Sequence, residues 1–251
     1  MDGPAQEGGV AMLDGKVVVI TGSAGGIGRW VAKTFARSRA KVVVADIKAL
    51  DAVSAELEAL ETDYLAVPTD ISDEISAQTL IERTVERFGR IDVLHNNAAI
   101  VPHVSRENSN WSRLGQLPPS LWDRVIQTNL GGTFRCSRFA LPYMEAQRSG
   151  HIISTMGGSR RIGGGPYQVS KDAIQSFTRA LAEEEREFNI CVVTMTPGGR
   201  IWVESNPDEE TRAQYPGVET VANRFVLAAQ AGMELSGKLI DVEDGRLVAR
   251  S

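Results

Sequence analysis

Hydrophobic positions along this chain come in two alternating kinds of run. Short, unbroken, β-branched stretches give way to longer ones in which apolar residues recur every three or four positions. Lys16–Thr21 (KVVVIT) is the first strand-like run, and from about Gly26 the spacing of Ile27, Val31 and Phe35 along one face predicts a helix. Lys41–Asp46 (KVVVAD) repeats the strand pattern; Val53, Leu57 and Leu60 mark the next helix, and Tyr64–Val67 is a short strand before Pro68 and Asp70. The rhythm continues with a helix over Ile75–Phe88, a strand at Ile91–Leu94, a long helix over Leu121–Phe139 and a strand at His151–Ser154. A helix over Tyr167–Phe188, a strand at Ile190–Met195, a helix over Val221–Ala229 and a last strand at Lys238–Val242 complete it.

Continuous Val/Ile-rich strands alternating with helices predict a parallel sheet covered on both faces. The expected architecture is a single-domain α/β Rossmann fold, a doubly wound parallel sheet of seven strands over residues 13–251. Residues 1–12, with Asp2 and Glu7 and no apolar core, read as a mobile N-terminal extension. Two polar loops, Ile100–Ser120 and Pro197–Pro216, interrupt the rhythm. Both exceed the ~12–15 residues beyond which loops in compact domains are usually functional. Both follow strands and so belong at the carboxyl edge of the sheet, where open α/β sheets bind ligands.

Composition narrows the function classes. A net charge of −5 argues against nucleic acid or an anionic membrane as the main partner. No stretch approaches the ~20 apolar residues of a membrane span. Cys136 and Cys191, the two cysteines, sit in apolar runs with no paired Cys/His spacing, which points to buried hydrophobes and no metal site. The default compartment is cytoplasmic.

Thr21-Gly22-Ser23-Ala24-Gly25-Gly26-Ile27-Gly28 follows a strand and opens a helix, the context a dinucleotide-binding turn requires. Glycines let backbone N–H groups approach a pyrophosphate, and the helix N-terminus adds partial positive charge. Asp46 ends the second strand, where a carboxylate accepts from adenosine ribose hydroxyls and repels a 2′-phosphate. No Lys or Arg lies within Ser23–Gly26, so NAD is favoured over NADP, with Lys48 as a nearby cation. Farther on, Tyr167 and Lys171 in YQVSK stand one helical turn apart on one face. An ammonium beside a phenol lowers the phenol pKa from ~10 and fits it for acid/base work. Ser154, at the end of the fifth strand, supplies a hydroxyl for a substrate oxygen.

With these pieces in order, residues 13–245 resemble the short-chain dehydrogenase/reductase family, in its short single-domain branch. The matching motifs are TGSAGGIG at 21–28, Asp46, Asp70-Ile71, NNAA at 96–99, Asn129 in TNLGGTF, Ser154, YQVSK and Pro197-Gly198. The resemblance implies a catalytic set of Asn129, Ser154, Tyr167 and Lys171. In it Tyr167 exchanges the proton, Ser154 orients the substrate oxygen, Lys171 holds the nicotinamide ribose and Asn129 holds a water. It implies NAD contacts from Gly22, Ser23, Gly26, Ile27, Gly28, Asp46, Ile47, Asp70, Ile71, Asn97, Tyr167, Lys171, Pro197, Gly198 and Arg200. Substrate would meet Ser154, Met156, Ile162, Tyr167 and Trp202, and the assembly would be a homotetramer.

The sequence departs from the family pattern at Ala99, where NNAG is usual, at Trp202, where a Thr often follows Pro-Gly, and in the long Ile100–Ser120 loop. The glycine turn fits both TGxxxGxG, through Gly26, and TGxxGxxG, through Gly25; chain length favours the first. His95 reads as a packed or hydrogen-bonded strand residue, His103 as a solvated loop residue and His151 as a surface strand start. Arg160, Arg161 and Arg200 border the expected pocket and read as solvated, with an anionic substrate as the alternative. The expected reaction is interconversion of a secondary alcohol and a ketone with NAD(H). The rivals are a non-catalytic NAD-sensing protein and an NAD-retaining epimerase or dehydratase.

Overall fold

The computed structural model describes residues 13–101, 113–157, 164–199, 201, 213 and 216–250. The extension expected at 1–12 and most of both long loops lie outside them. Strands β1 (Val17–Thr21), β2 (Lys41–Asp46), β3 (Tyr64–Pro68), β4 (Val93–Asn96), β5 (Gly150–Thr155), β6 (Ile190–Met195), β7 (Leu239–Glu243) and β8 (Arg246–Arg250) form one eight-stranded sheet, ordered β3-β2-β1-β4-β5-β6-β7-β8. All pairs are parallel except β7–β8. Helices α1 (Gly26–Arg37), α2 (Asp51–Ala59), α3 (Glu74–Phe88), α4 (Pro119–Ile126), α5 (Gly132–Gln147), α6 (Gly165–Glu184) and α7 (Glu219–Ala228) connect them.

Side-chain alternation divides each strand between two cores. Val18, Ile20, Val42, Val44 and Val193 pack with Phe35 of α1 and Phe225 of α7 on one face. Val17, Val19, Val43, Leu94 and Val192 pack with Leu80 of α3 and Met144 of α5 on the other. Burial on both faces is why the strands read as unbroken apolar runs. Strand order reverses between β1 and β4, and the crevice opens there at the carboxyl edge.

Three elements differ from expectation. The sheet has an eighth strand, β8, antiparallel to β7. Asp244 and Gly245 between them have φ values of 47° and 74°, the backbone of a two-residue hairpin turn. Arg250 of β8 donates to the Asp241 carboxylate through Nε (3.0 Å) and Nη2 (2.6 Å). The Asp-Gly pair was the available signal; the arginine-flanked run RLVAR hid the strand. Second, β4 runs over Val93–Asn96 rather than Ile91–Leu94, which brings two polar residues into the sheet. Each has a partner there: Asn96 Nδ2 donates to Ser137 Oγ (3.1 Å), and His95 Nε2 bonds Thr155 Oγ1 (2.8 Å). Third, the helix expected over Leu121–Phe139 is α4 and α5 joined by a π-helical turn at Gln127–Gly131. α5 continues through Pro142 to Gln147.

Candidate active site

The β1–α1 turn settles which glycine spacing the backbone needs. Gly26 has φ of +53°, whereas Gly25 is extended at φ −164° and caps α1, so TGxxxGxG is the operative form. Gly28 is required by packing, since a Cβ there would run into the Gly22 carbonyl and lie 2.7 Å from Asn97 Nδ2. Side chains at Gly25 and Gly26 would meet only open space, and α1 carries no acidic residue in its first turn. The helix N-terminus therefore faces open space with its positive end unneutralised from within, which fits a dinucleotide pyrophosphate.

Asp46 overhangs this turn. One carboxylate oxygen accepts from Ala24 N–H and the other from Lys48 N–H, both at 2.9 Å. Ser23 is buried, and its N–H and hydroxyl both donate to the Ala45 carbonyl, so it anchors the turn from beneath. Ile47 is 72% exposed at the lip. Asp70 Oδ1 accepts from the Ser72 N–H and hydroxyl, and Ile71 is buried against Gly132. Asn97 Nδ2 donates to the carbonyls of Thr21 (3.0 Å) and Gly22 (3.1 Å), and Thr21 Oγ1 accepts from the N–H groups of Asn97 and Ala98. This clamps the turn to the end of β4.

Beside it the structure brings together the other four residues. Ser154 is the penultimate residue of β5, buried. Tyr167 and Lys171 lie on α6, with Lys171 Nζ 5.6 Å from the Tyr167 ring centroid and donating to the Thr155 carbonyl at 2.6 Å. Asn129 sits in the π-helical turn; its Oδ1 accepts from Ile100 N–H (2.7 Å), and its Nδ2 donates to Ile100 O and Ser170 Oγ. Ser170 in turn donates to the Tyr167 carbonyl (2.7 Å), which ties the π-helical turn to α6.

Burial acts on both acid/base groups. It pushes the Tyr167 phenol up to about 12, against the lowering that Lys171 and a bound nicotinamide ring would exert. Burial likewise pushes Lys171 down to about 8. The ammonium is engaged at the Thr155 carbonyl and both groups are dry, so desolvation outweighs their mutual attraction.

Met156 is half-buried, its N–H bonded to Met195 O. Pro197 is buried, and Gly198, φ +86°, donates its N–H to Thr196 Oγ1. Ile162, Arg200 and Trp202, with His103, Arg160 and Arg161, lie outside the described residues. His95 is buried and bonded, as read from the sequence, and burial pushes it down to about 3. His151 bonds Ala231 O, and both cysteines are buried and free. Ala99, with Ile100 and Val101 at the start of the long loop, packs on Tyr167 and Val125 as an apolar wall, and Leu121, which sequence reasoning left in a helix, joins it. Sequence reasoning missed Thr155, whose one legible signal is its place next to Ser154.

The family model for short chain dehydrogenases matches residues 16–213. Secoisolariciresinol dehydrogenase of Forsythia intermedia is 35% identical, over 95% of this chain and 91% of that protein. The chain belongs to the short-chain dehydrogenase/reductase family. L-fucose dehydrogenase of Bos taurus is also similar, at 30% identity over 86% of this chain and 84% of its own length. A short-chain type dehydrogenase/reductase from Mycobacterium marinum shares the fold with a TM-score of 0.81 at 24% identity, over 94% of this chain and 97% of that one. This short-chain dehydrogenase is accordingly an oxidoreductase of alcohols or ketones, in a family that uses nicotinamide cofactors. Among the described residues no helix is long and apolar enough to cross a membrane.

Proposed function

We propose that the protein interconverts a secondary alcohol and a ketone with NAD(H), using Tyr167 as the acid/base. The observation that carries this reading is the dry cluster at the end of β5. There the Lys171 ammonium sits 2.6 Å from the carbonyl of Thr155, next to Ser154, and 5.6 Å from the Tyr167 ring centroid. When bound, NAD⁺ supplies the hydride acceptor for alcohol oxidation. Tyr167 takes the hydroxyl proton, Ser154 orients the oxygen, and Lys171 compensates charge on the phenolate and binds ribose. Asn129, held by Ile100 and Ser170, keeps the α4–α5 turn beside Lys171's helix.

The preference for NAD rests on Asp46, whose carboxylate overhangs the glycine turn where a 2′-phosphate would have to lie. Gly22, Gly26 and Gly28 form the pyrophosphate side; Ile47, Asp70, Ile71 and the Asn97 backbone form the adenosine side; Pro197 and Gly198 form the nicotinamide side. The apolar wall of Ala99, Ile100, Val101 and Leu121 beside Tyr167 suits a hydrophobic or cyclic alcohol. The protein works as a cytoplasmic homotetramer of one catalytic domain. The exposed Phe134 and the groove it shares with Leu141, Phe177 and Leu181 on α5 and α6 form one subunit contact.

The deciding experiment is a panel of secondary alcohols with NAD⁺ and NADP⁺, following free NADH, with Tyr167→Phe alongside. Wild type should release NADH steadily, and Tyr167→Phe should lose about 10²–10⁴-fold in kcat while still binding NADH. NADH binding with no turnover on any alcohol or ketone would favour a sensor; turnover without net NADH, an epimerase or dehydratase.

A further inference from the structure

Beneath the glycine turn lies a polar network that the proposed chemistry does not use. Asn97 Nδ2 bonds two carbonyls, Thr21 O and Gly22 O, and only the amino end of a carboxamide can do that. Asn97 Oδ1 therefore points the other way, to Thr155 Oγ1 at 3.3 Å, and as an acceptor it takes the Thr155 hydroxyl hydrogen. With its one hydrogen spent, Thr155 Oγ1 must accept at 2.8 Å from His95 Nε2. A neutral imidazole that donates from Nε2 has a bare lone pair at Nδ1, and Nδ1 is the His95 atom with no partner. The network thus has one proton arrangement, running from His95 through Thr155 and Asn97 to the turn. Burial, which pushes His95 down to about 3, keeps that arrangement fixed across the working pH range.

Thr155 does two jobs at once. Its hydroxyl fixes the Asn97 carboxamide that holds Thr21 and Gly22, while its carbonyl accepts from Lys171 Nζ at 2.6 Å. The ring of His95 is held by Phe225 of α7, 4.6 Å between centroids, so the donor at the head of the network is itself packed in place.

We infer that Thr155, polarised by His95, is a positioning residue for the dinucleotide: its hydroxyl sets the Asn97 carboxamide and through it the shape of the phosphate-binding turn. This rests on the dinucleotide reading proposed above. Neither His95 nor Thr155 touches the cofactor in this assignment; both act through Asn97.

The test measures NADH affinity by fluorescence, or NADPH if wild type prefers it, together with Tm. Thr155→Val should weaken binding about tenfold and lower Tm, because His95 Nε2–H and Asn97 Oδ1 both lose their partner. Thr155→Ser keeps the hydroxyl and should restore affinity to within twofold of wild type. The double variant His95→Val/Thr155→Val removes the stranded imidazole donor; it should regain much of the lost Tm yet keep the weakened affinity. That split keeps the test decisive even if Thr155→Val alone folds poorly. Wild-type affinity in Thr155→Val, or in the double variant, would overturn the inference and leave the dinucleotide reading standing. Wild type that binds neither dinucleotide would overturn both.

Discussion

The Tyr167 hydroxyl rests on the α-carbon of Gly157, so closely that a methyl group built there would overlap it. The obstructed atom is the far end of a ring packed against Ala99, Ile100, Val101 and Leu121, so making room shifts the ring and lowers stability. It is also the atom assigned the proton transfer. Gly157→Ala should therefore lower Tm and lose about 10²-fold in kcat, the penalty for misplacing a reacting group by about 1 Å. Thermal melts and initial rates measured on the same preparation check this. An alanine variant with wild-type kcat would mean that the hydroxyl position is not set by Gly157.

Lys171 gives an activity–stability opposition. Burial lowers its pKa from 10.5 to about 8, so the folded state gives up this proton more readily than the unfolded chain. Between those values the unfolded chain holds more protons, and stability rises with pH. At neutral pH the buried ammonium costs on the order of 3 kcal/mol, at 1.36 kcal/mol per pKa unit. Losing its bond to Thr155 costs roughly 1–3 kcal/mol. Lys171→Met should thus be inert yet no less stable than wild type at pH 7, with any advantage fading above pH 8. Urea melts at two pH values test it.

The pH dependence of turnover has its own sign. Oxidation needs the buried Tyr167/Lys171 pair to accept a proton, and burial favours the neutral form of each, raising the phenol and lowering the ammonium. Alcohol oxidation should accelerate as pH rises above neutral, and ketone reduction should slow. A flat kcat profile for oxidation between pH 6 and 10, with hydride transfer rate-limiting, would remove Tyr167 from the role.

Asp46 should make NAD⁺ the better cofactor for wild type by kcat/KM. Asp46→Ala should narrow the preference by about ten- to a hundredfold, or 1.4–2.8 kcal/mol. NAD⁺ affinity should weaken too, because the Ala24 N–H loses its acceptor. A wild-type preference for NADP⁺ would refute the assignment.

Asp92 is a stability prediction away from the site. It is 4% exposed and accepts from Lys16 Nζ (2.9 Å), Val17 N–H (3.0 Å) and Arg90 Nε and Nη2 (2.8 and 2.6 Å). These bonds hold its carboxyl below the usual range despite burial, so its contribution is full above the unfolded value of 3.8 and disappears as pH falls through the lowered folded value. Asp92→Asn should cost about 2–3 kcal/mol at neutral pH, measured by urea melts. The gap to wild type should close only below about pH 4.

The sequence by itself determined the layered sheet, because strands buried on both faces must be apolar throughout and their helices must carry one apolar stripe. It also determined the local pairings within one turn: the glycine-rich start of α1, Asp46 at a strand end, and Tyr167 with Lys171 one helical turn apart. Tertiary structure decided whatever depends on residues far apart in the chain. Chain length favoured the spacing through Gly26 over that through Gly25, and the φ of Gly26 supplies the backbone reason. The Tyr167–Lys171 spacing implies a lowered phenol pKa, but burial reverses it, and burial belongs to the packed molecule. Thr155 and Asn97 stand 58 positions apart, and nothing in either neighbourhood announces their bond; it exists because β4 and β5 pair in register with Asn96 beside Ser154.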